Sequence, residues 1–277
     1  MQVNVIHQMD CIDGLRSLPP GVVDVIVTSP PYNLNKKYSA YNDNLDEAEY
    51  IEWLTAVATE CKRVLKPDGS FFLNIGYAVK NPYMPFQVAL AFRPLFHLQN
   101  VIHWIKSISI DGNSIGHYTP IQSARYHYNG HEYVLHFTHD GTVPLDKTAI
   151  GVPYKDKSNI TRWKSPKADV RDRGNVWYIP YDTIQRSRVH PAPFPVMLPE
   201  MCIKDHGVER TKLVVDPFVG IGTTACACVR MGIDYIGFEI DKNYIQFAES
   251  FITEEEEKVN YHAPPLQPDK LNSVTDE

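Results

Sequence analysis

The chain alternates short runs of β-branched residues with segments whose apolar positions recur every three or four residues. Val3-Asn4-Val5-Ile6-His7 reads as a first strand, and Met9 to Leu15 as a turn into a short helix. Val22-Val23-Asp24-Val25-Ile26-Val27-Thr28 is a nearly continuous apolar run, the pattern of a strand buried on both faces. It stops at Ser29-Pro30-Pro31-Tyr32, because proline cannot donate to a ladder. Residues 33–44 read as a loop. Leu54, Val57, Ala58, Cys61, Val64 and Leu65 fall at helical spacing and predict an amphipathic helix over 46–65. Pro67-Asp68-Gly69 ends it, and Ser70 to Ile75 is the next strand. A helix near 84–92 and strands at 100–106 and 132–137 follow, then an aperiodic stretch over 140–189. Regular patterning resumes with a helix over 193–205, a strand at 212–216, a helix over 223–231, a strand at 234–239 and a helix from Lys242 to about Glu256.

Strands alternating with helices predict an α/β fold, a mostly parallel sheet with helices on both faces. At 277 residues the chain holds one large catalytic domain with a small addition. No apolar run approaches the roughly 20 residues of a membrane span, and the N-terminus lacks the basic and apolar regions of a signal peptide. A cytoplasmic protein without a membrane partner is expected. Cys11, Cys61, Cys202, Cys226 and Cys228 are odd in number and contain no CxxC pair, so buried reduced thiols are expected, with neither disulfides nor zinc. The histidines His127, His131, His136 and His139 fit no standard ligand spacing, and no metal is expected.

The net charge of −6 conceals an asymmetry. Residues 147–188 hold ten Lys or Arg against four Asp, a local charge of +6 that leaves −12 for the rest. Such a segment is a phosphate footprint or a solvated loop.

Two constellations carry candidate chemistry. In the first, Asp216-Pro217-Phe218-Val219-Gly220-Ile221-Gly222-Thr223-Thr224 joins a strand to a helix. Glycines there allow a tight turn and close backbone approach, and free N–H groups at a helix start favour an anion. It is neither a GxGxxG nor a P-loop. Glu239 closes the next strand, where an acid can accept hydrogen bonds from ribose hydroxyls. Together these point to a nucleoside-containing cofactor.

The second is Ser29-Pro30-Pro31-Tyr32 at the carboxyl end of a buried strand, the edge where open α/β sheets bind ligands. A rigid carbonyl and a Ser hydroxyl can both accept from one amino group, and Tyr32 offers a face for stacking. An aromatic amine requires this. Its lone pair is delocalised, and two acceptors on its N–H groups hold the nitrogen nearer tetrahedral geometry.

Taken together, the two motifs resemble the amino-methylating DNA methyltransferases, which make N4-methylcytosine or N6-methyladenine. Catalytic motif first and cofactor motif near the C-terminus is the order of that family's β group. The resemblance covers roughly residues 3–256. It implies the S-adenosylmethionine-dependent methyltransferase fold with a seven-stranded sheet. It divides the chain into a catalytic half (1–139), a target-recognition module (140–189), a cofactor-binding half (190–257) and a flexible tail (258–277). It implies S-adenosylmethionine as cofactor, with Ser29, Pro30, Pro31 and Tyr32 catalytic. Asp10 matches the position contacting the cofactor adenine, beside Cys11, and Glu239 matches the ribose acid. Asp216, Phe218, Gly220, Gly222, Thr223 and Thr224 belong to the cofactor motif. His190-Pro191 resembles the segment closing over the methionine part, with Phe194 and Pro195 where the family often has Lys.

Ser-Pro-Pro-Tyr is commoner in cytosine-N4 enzymes and Asp-Pro-Pro-Tyr in adenine-N6 enzymes, so the resemblance favours N4. Adenine N6 is the alternative; an inactive DNA-binding subunit and an RNA methyltransferase are others. The implied partner is double-stranded DNA with the target base flipped out. A cognate restriction enzyme and a second copy of the chain are compatible partners. Lys36 and Lys37 in the 33–44 loop, and Arg162, Lys164, Lys167, Arg171, Arg173, Arg186 and Arg188 in the basic segment, are the candidate DNA contacts.

Overall fold

The computed structural model describes residues 1–34, 41, 43–79, 81–110, 113–116, 122–162, 169–180 and 194–262. The first half of the chain forms β1 (Val5–Gln8), α1 (Cys11–Arg16), β2 (Val23–Thr28), α2 (Glu47–Val64), β3 (Leu65–Ile75), α3 (Met84–Phe92) and β4 (His97–Ile105). A hairpin of β5 (Ser107–Ile110) and β6 (Asn113–Gly116) leads to β7 (His131–Thr138). Next come a two-stranded ribbon of β8 (Val152–Pro153) and β9 (Val170–Arg171), and β10 (Val176–Tyr178). The chain closes with α4 (Met197–His206), β11 (Leu213–Asp216), α5 (Thr223–Met231), β12 (Asp234–Glu239) and α6 (Lys242–His262).

Among the described residues eight strands make the main sheet, in the order β1-β12-β11-β2-β3-β7-β4-β10. Only β7 runs against its neighbours β3 and β4; every other pairing is parallel. The eighth strand, one more than the seven expected, is β10, within the stretch that reads as aperiodic. Three residues between Gly174 and Pro180 are too few for a period of two to show. Trp177 of this strand is buried to 1%, and its neighbour Trp104 donates its indole N–H to the Ile179 carbonyl at 2.9 Å. The last helix also runs further than its apolar pattern, to His262 rather than Glu256.

Two apolar layers hold the sheet. On one face α1, α2 and α3 bury Leu15, Leu54, Val57, Val88 and Phe92 against Phe71, Leu73 and Phe137. On the other, α4, α5 and α6 bury Leu198, Cys202, Ala225 and Ala248 against Val25, Val27 and Phe72. Each fully buried large aliphatic side chain contributes about 1.5–3 kcal/mol. Helix α2 starts where Asp46 accepts the Ala48 N–H at 2.9 Å.

The consequence for function lies in the strand order. Strand β11 inserts between β12 and β2, so residues 189 positions apart become neighbours, with Val215 opposite Ile26. The carboxyl ends of β1, β12, β11 and β2 therefore line one edge of the sheet.

Candidate active site

At that edge lies a cleft of about 860 Å³, including the part open to solvent. Its wall holds Asp10 and Cys11 after β1, Ser29 to Tyr32 after β2, Phe218 after β11 and Glu239 at the end of β12. Eight of the residues singled out from sequence thus meet in one place.

Asp216, Gly220, Gly222, Thr223 and Thr224 lie behind the wall. Asp216 is buried, and its three contacts face inward. Thr28 Oγ1 donates to Oδ1 at 2.5 Å, the Phe218 N–H to the same oxygen at 3.0 Å, and Thr224 Oγ1 to Oδ2 at 2.6 Å. This carboxylate clamps the end of β2 to the loop after β11 and to α5. Burial pushes its pKa up to about 6. Gly222 begins α5 with φ +85°, and a Cβ there would sit 3.0 Å from Ala248 Cβ, so both backbone and space select glycine.

One half of the cleft is acidic and aromatic. Glu239 Oε2 accepts the Gly220 N–H at 3.1 Å and Oε1 the Asp241 N–H at 2.8 Å. Burial raises its pKa. Asp10 caps α1, accepting the Ile12 N–H at 2.8 Å. Cys11 is a buried thiol pushed up by burial and then by Asp10. Trp53 packs edge-on against Phe218 and stacks with Tyr41, each at 5.5 Å between ring centroids. Asp241 is 5% exposed, and its Oδ2 is buried without a hydrogen-bond partner although the residue lines the cleft. A nucleoside cofactor fits this half: aromatic side chains for a base, carboxylates for hydroxyls, and an acceptor, Asp241 Oδ2, that no described protein group satisfies.

The other half is the Ser29–Tyr32 turn. Tyr50 Oη donates to the Pro31 carbonyl at 2.8 Å, whereas the Pro30 carbonyl has no partner among the described residues. Ser29 Oγ lies 2.7 Å from Tyr32 Oη. Tyr32 in turn donates to Glu132 Oε2 at 2.9 Å, and Asn74 Nδ2 donates to Tyr32 Oη at 2.7 Å and to Glu132 Oε2 at 2.9 Å. Lys106 Nζ pairs with Glu132 Oε1 at 2.9 Å. Burial first, and the Glu132 charge second, hold the Tyr32 phenol well above its ordinary pKa. A Cβ on Gly76 would meet the Tyr32 ring at 2.8 Å, so only glycine leaves room for it.

Asn74, Lys106, Glu132, Trp53 and Asp241 were not anticipated from sequence. A signal existed for two of them: Asn74 interrupts Phe71-Phe72-Leu73 before Ile75, and Glu132 interrupts the strand that continues Tyr133-Val134-Leu135. Of the anticipated DNA contacts, Arg171 is exposed, while the Arg173 guanidinium donates to the Ile150 carbonyl at 2.8 Å. Arg162 ends a 3-10 turn. Lys36, Lys37, Lys164, Lys167, Arg186, Arg188, His190 and Pro191 lie outside the described residues. Among the described residues no group of three or more His, Cys, Asp or Glu is placed to hold a metal, and no helix is long and apolar enough to cross a membrane.

Comparison with known proteins agrees with this geometry. The Type II methyltransferase M.BglII of Bacillus subtilis is 28% identical over 272 residues, covering 93% of this chain and 71% of that protein. The DNA adenine methyltransferase YhdJ of Escherichia coli is 29% identical over 256 residues, covering 87% and 80%. The structure of the cytosine-N4-specific PvuII DNA methyltransferase superposes with a TM-score of 0.67 at 22% identity, covering 92% of this chain and 91% of that one. The profile of the DNA methylase family matches residues 23–250. Sheet order, cleft and profile lead to one conclusion: the chain belongs to the N6/N4 DNA methylase family.

Proposed function

We propose that this chain methylates the exocyclic N4 of a cytosine flipped out of double-stranded DNA, with S-adenosylmethionine as donor. The cofactor supplies an electrophilic methyl group on a sulfonium centre. Phe218, Trp53 and Tyr41 bound the space for its adenine. Glu239 and Asp241 keep acceptor lone pairs for its hydroxyl and amino hydrogens. Ser29 Oγ and the Pro30 carbonyl accept the two N–H bonds of the target amine, which aims its lone pair at the methyl group. Tyr32 presents its ring to the base. Arg171 and the basic residues between 147 and 188 supply phosphate contacts, and 140–189 chooses the sequence.

The observation that carries this reading is the single cleft bounded by the Ser29–Tyr32 turn and by Phe218 and Glu239. Support for cytosine rests on Ser29 at the first position of the tetrapeptide. The test is mass spectrometry of nucleosides from duplex DNA incubated with the purified protein and labelled S-adenosylmethionine. N4-methylcytosine is the expected product. N6-methyladenine would move the target base to adenine, and an unmodified digest of DNA spanning many sequences would overturn the reading.

A further inference from the structure

We propose that Glu132 is a positioning residue: acting through the Tyr32 hydroxyl, it fixes the Ser29 hydrogen so that Oγ faces the target base only as an acceptor. This rests on the reading of the chain as an amino-methyltransferase and says how one side chain is made to suit that reaction. A serine hydroxyl is ambiguous, since it can donate or accept. A serine that donated to the amine nitrogen would occupy the lone pair the reaction needs.

The hydrogen-bond network removes the ambiguity. Tyr32 has one proton, and two oxygens lie within reach, Glu132 Oε2 at 2.9 Å and Ser29 Oγ at 2.7 Å. The carboxylate is the stronger acceptor, and without that proton two oxygen atoms bearing negative charge would face each other. The Tyr32 proton therefore goes to Glu132. The 2.7 Å contact to Ser29 then needs a hydrogen from Ser29, which turns its own proton away from the cleft and leaves its lone pairs there.

Asn74 supports the same direction. Its amide nitrogen lies 2.7 Å from Tyr32 Oη, 2.9 Å from Glu132 Oε2 and, more loosely, 3.4 Å from Ser29 Oγ, so every group it faces is an acceptor for its two hydrogens. The reverse amide orientation would set Oδ1 against the carboxylate. The orientation is kept although it leaves Asn74 Oδ1 buried without a partner. Lys106 Nζ pairs with the other carboxylate oxygen and fixes how the carboxylate is turned toward Tyr32; the two side chains are only 18% and 15% exposed.

Glu132→Gln is the informative change because it keeps shape and the Lys106 contact. The Gln carbonyl stays on the Lys106 ammonium, so its amide N–H groups face Tyr32 Oη and Asn74 Nδ2. Two rearrangements can relieve the clash of donors. Inverting Asn74 would bury N–H groups where Oδ1 now has no partner, at about 1–3 kcal/mol for each unsatisfied group. Turning the Tyr32 proton onto Ser29 only swings the Ser29 hydrogen into the cleft, where water accepts it. The second is easier, and it converts Ser29 into a donor toward the base.

The test is a double-mutant cycle on single-turnover methyl transfer. Glu132→Gln is expected to lower kcat by about 10- to 100-fold while KM for DNA and Kd for S-adenosylmethionine stay within about threefold. In a Ser29→Ala background the same change is expected to alter kcat by less than about threefold, because no Ser29 hydroxyl remains to orient. Tyr32→Phe leaves the Glu132–Lys106 pair intact and is expected to give the same dependence on Ser29, which covers poor folding of the Glu132 variant. Full activity of Glu132→Gln, or an equal loss with and without the Ser29 hydroxyl, overturns the proposal. Proton NMR of the cofactor-free protein reads the network without catalysis. A hydroxyl resonance absent from Tyr32→Phe should shift in Glu132→Gln, and an unmoved resonance also overturns it. A wild-type protein that methylates no DNA would instead defeat the reading above, and the resonance would still decide the network.

Discussion

Replacing Asp216 by Asn separates clamping from cofactor binding. The carboxylate is fully enclosed and accepts from Thr28, Phe218 and Thr224. Asn keeps the shape: its carbonyl can accept from Thr28 and Phe218, and its amide can donate to the Thr224 hydroxyl, which rotates to accept. What changes is charge. Burial raises the Asp216 pKa from 3.8 to about 6, so the folded state holds this proton more tightly than the unfolded chain does. The associated stability is complete below pH 3.8 and is lost as pH rises through 6. Linkage over that interval amounts to about 3 kcal/mol in all, of which about 1.4 kcal/mol falls between pH 8 and pH 5.

Wild-type protein should therefore gain about 1.4 kcal/mol relative to Asp216→Asn on going from pH 8 to pH 5. Paired urea titrations at the two pH values measure it. With a slope near 3 kcal/mol/M, the gap between midpoints should change by roughly 0.5 M. Because Asp216 sits behind the cleft wall, the Kd for S-adenosylmethionine should stay within about threefold in Asp216→Asn at pH 8. A gap that is flat with pH would refute the burial argument, and a loss of cofactor affinity with unchanged stability would place Asp216 at the ligand.

Three other outcomes follow from the same geometry. Ser29→Ala should lower kcat by about 100- to 1,000-fold, by analogy with loss of one polar partner at a reacting centre, with cofactor affinity unchanged by equilibrium titration. Of the three tryptophans among the described residues, Trp53 lines the cleft while Trp104 and Trp177 are each 1% exposed, so the fluorescence change on adding S-adenosylmethionine should be lost largely in Trp53→Phe. His136 is buried between Ser70 and Asn100, and burial, then His206 and Arg210, lower its pKa to about 3. Its neutral form is stable above pH 6.5, and stability is lost as pH falls from there toward 3, so wild type should lose about 2 kcal/mol relative to His136→Gln between pH 8 and pH 5, the opposite sign to Asp216.

Several strands and helices were legible in the sequence nearly to the residue, whereas β3 starts at Leu65 and runs through Pro67-Asp68-Gly69, where a turn is expected, and α4 starts at Met197 rather than Pro193. Helix α5 spans Thr223–Met231 and β12 spans Asp234–Glu239, as their patterns predict. Helix α5 is framed by Gly222 and Gly232, both in the left-handed region, and both elements are largely buried, so local and tertiary preferences agree. The short elements were not legible. Strand β10 has three residues, and its place beside β4 is decided by Trp104, Trp177 and Ile179 packing together, contacts some 75 residues apart in the chain. No window of local pattern contains that information. The same holds for the hairpin of β5 and β6, whose strands, Ser-Ile-Ser-Ile and Asn-Ser-Ile-Gly, are too short to read.

The site divides along a different line. Residues whose role depends on backbone position, such as Ser29 after β2 and Glu239 after β12, could be read because a motif fixes them at a strand end. Residues whose role depends on side-chain partners from other strands could not. Asn74 and Glu132 become neighbours only because β7 runs antiparallel beside β3, with Asn74 opposite Val134 and Ile75 opposite Tyr133. That reversal brings the start of β7 to the edge where the parallel strands end, and so sets a carboxylate against the Tyr32 hydroxyl. A strand of either direction would have covered the apolar face equally well. Only the antiparallel one delivers Glu132, anchored by Lys106 at the end of β4, to the back of the catalytic turn. The inverted strand is thus the element through which the sheet reaches the chemistry, and moving Glu132 one position along β7 would turn the carboxylate to the opposite face of the sheet.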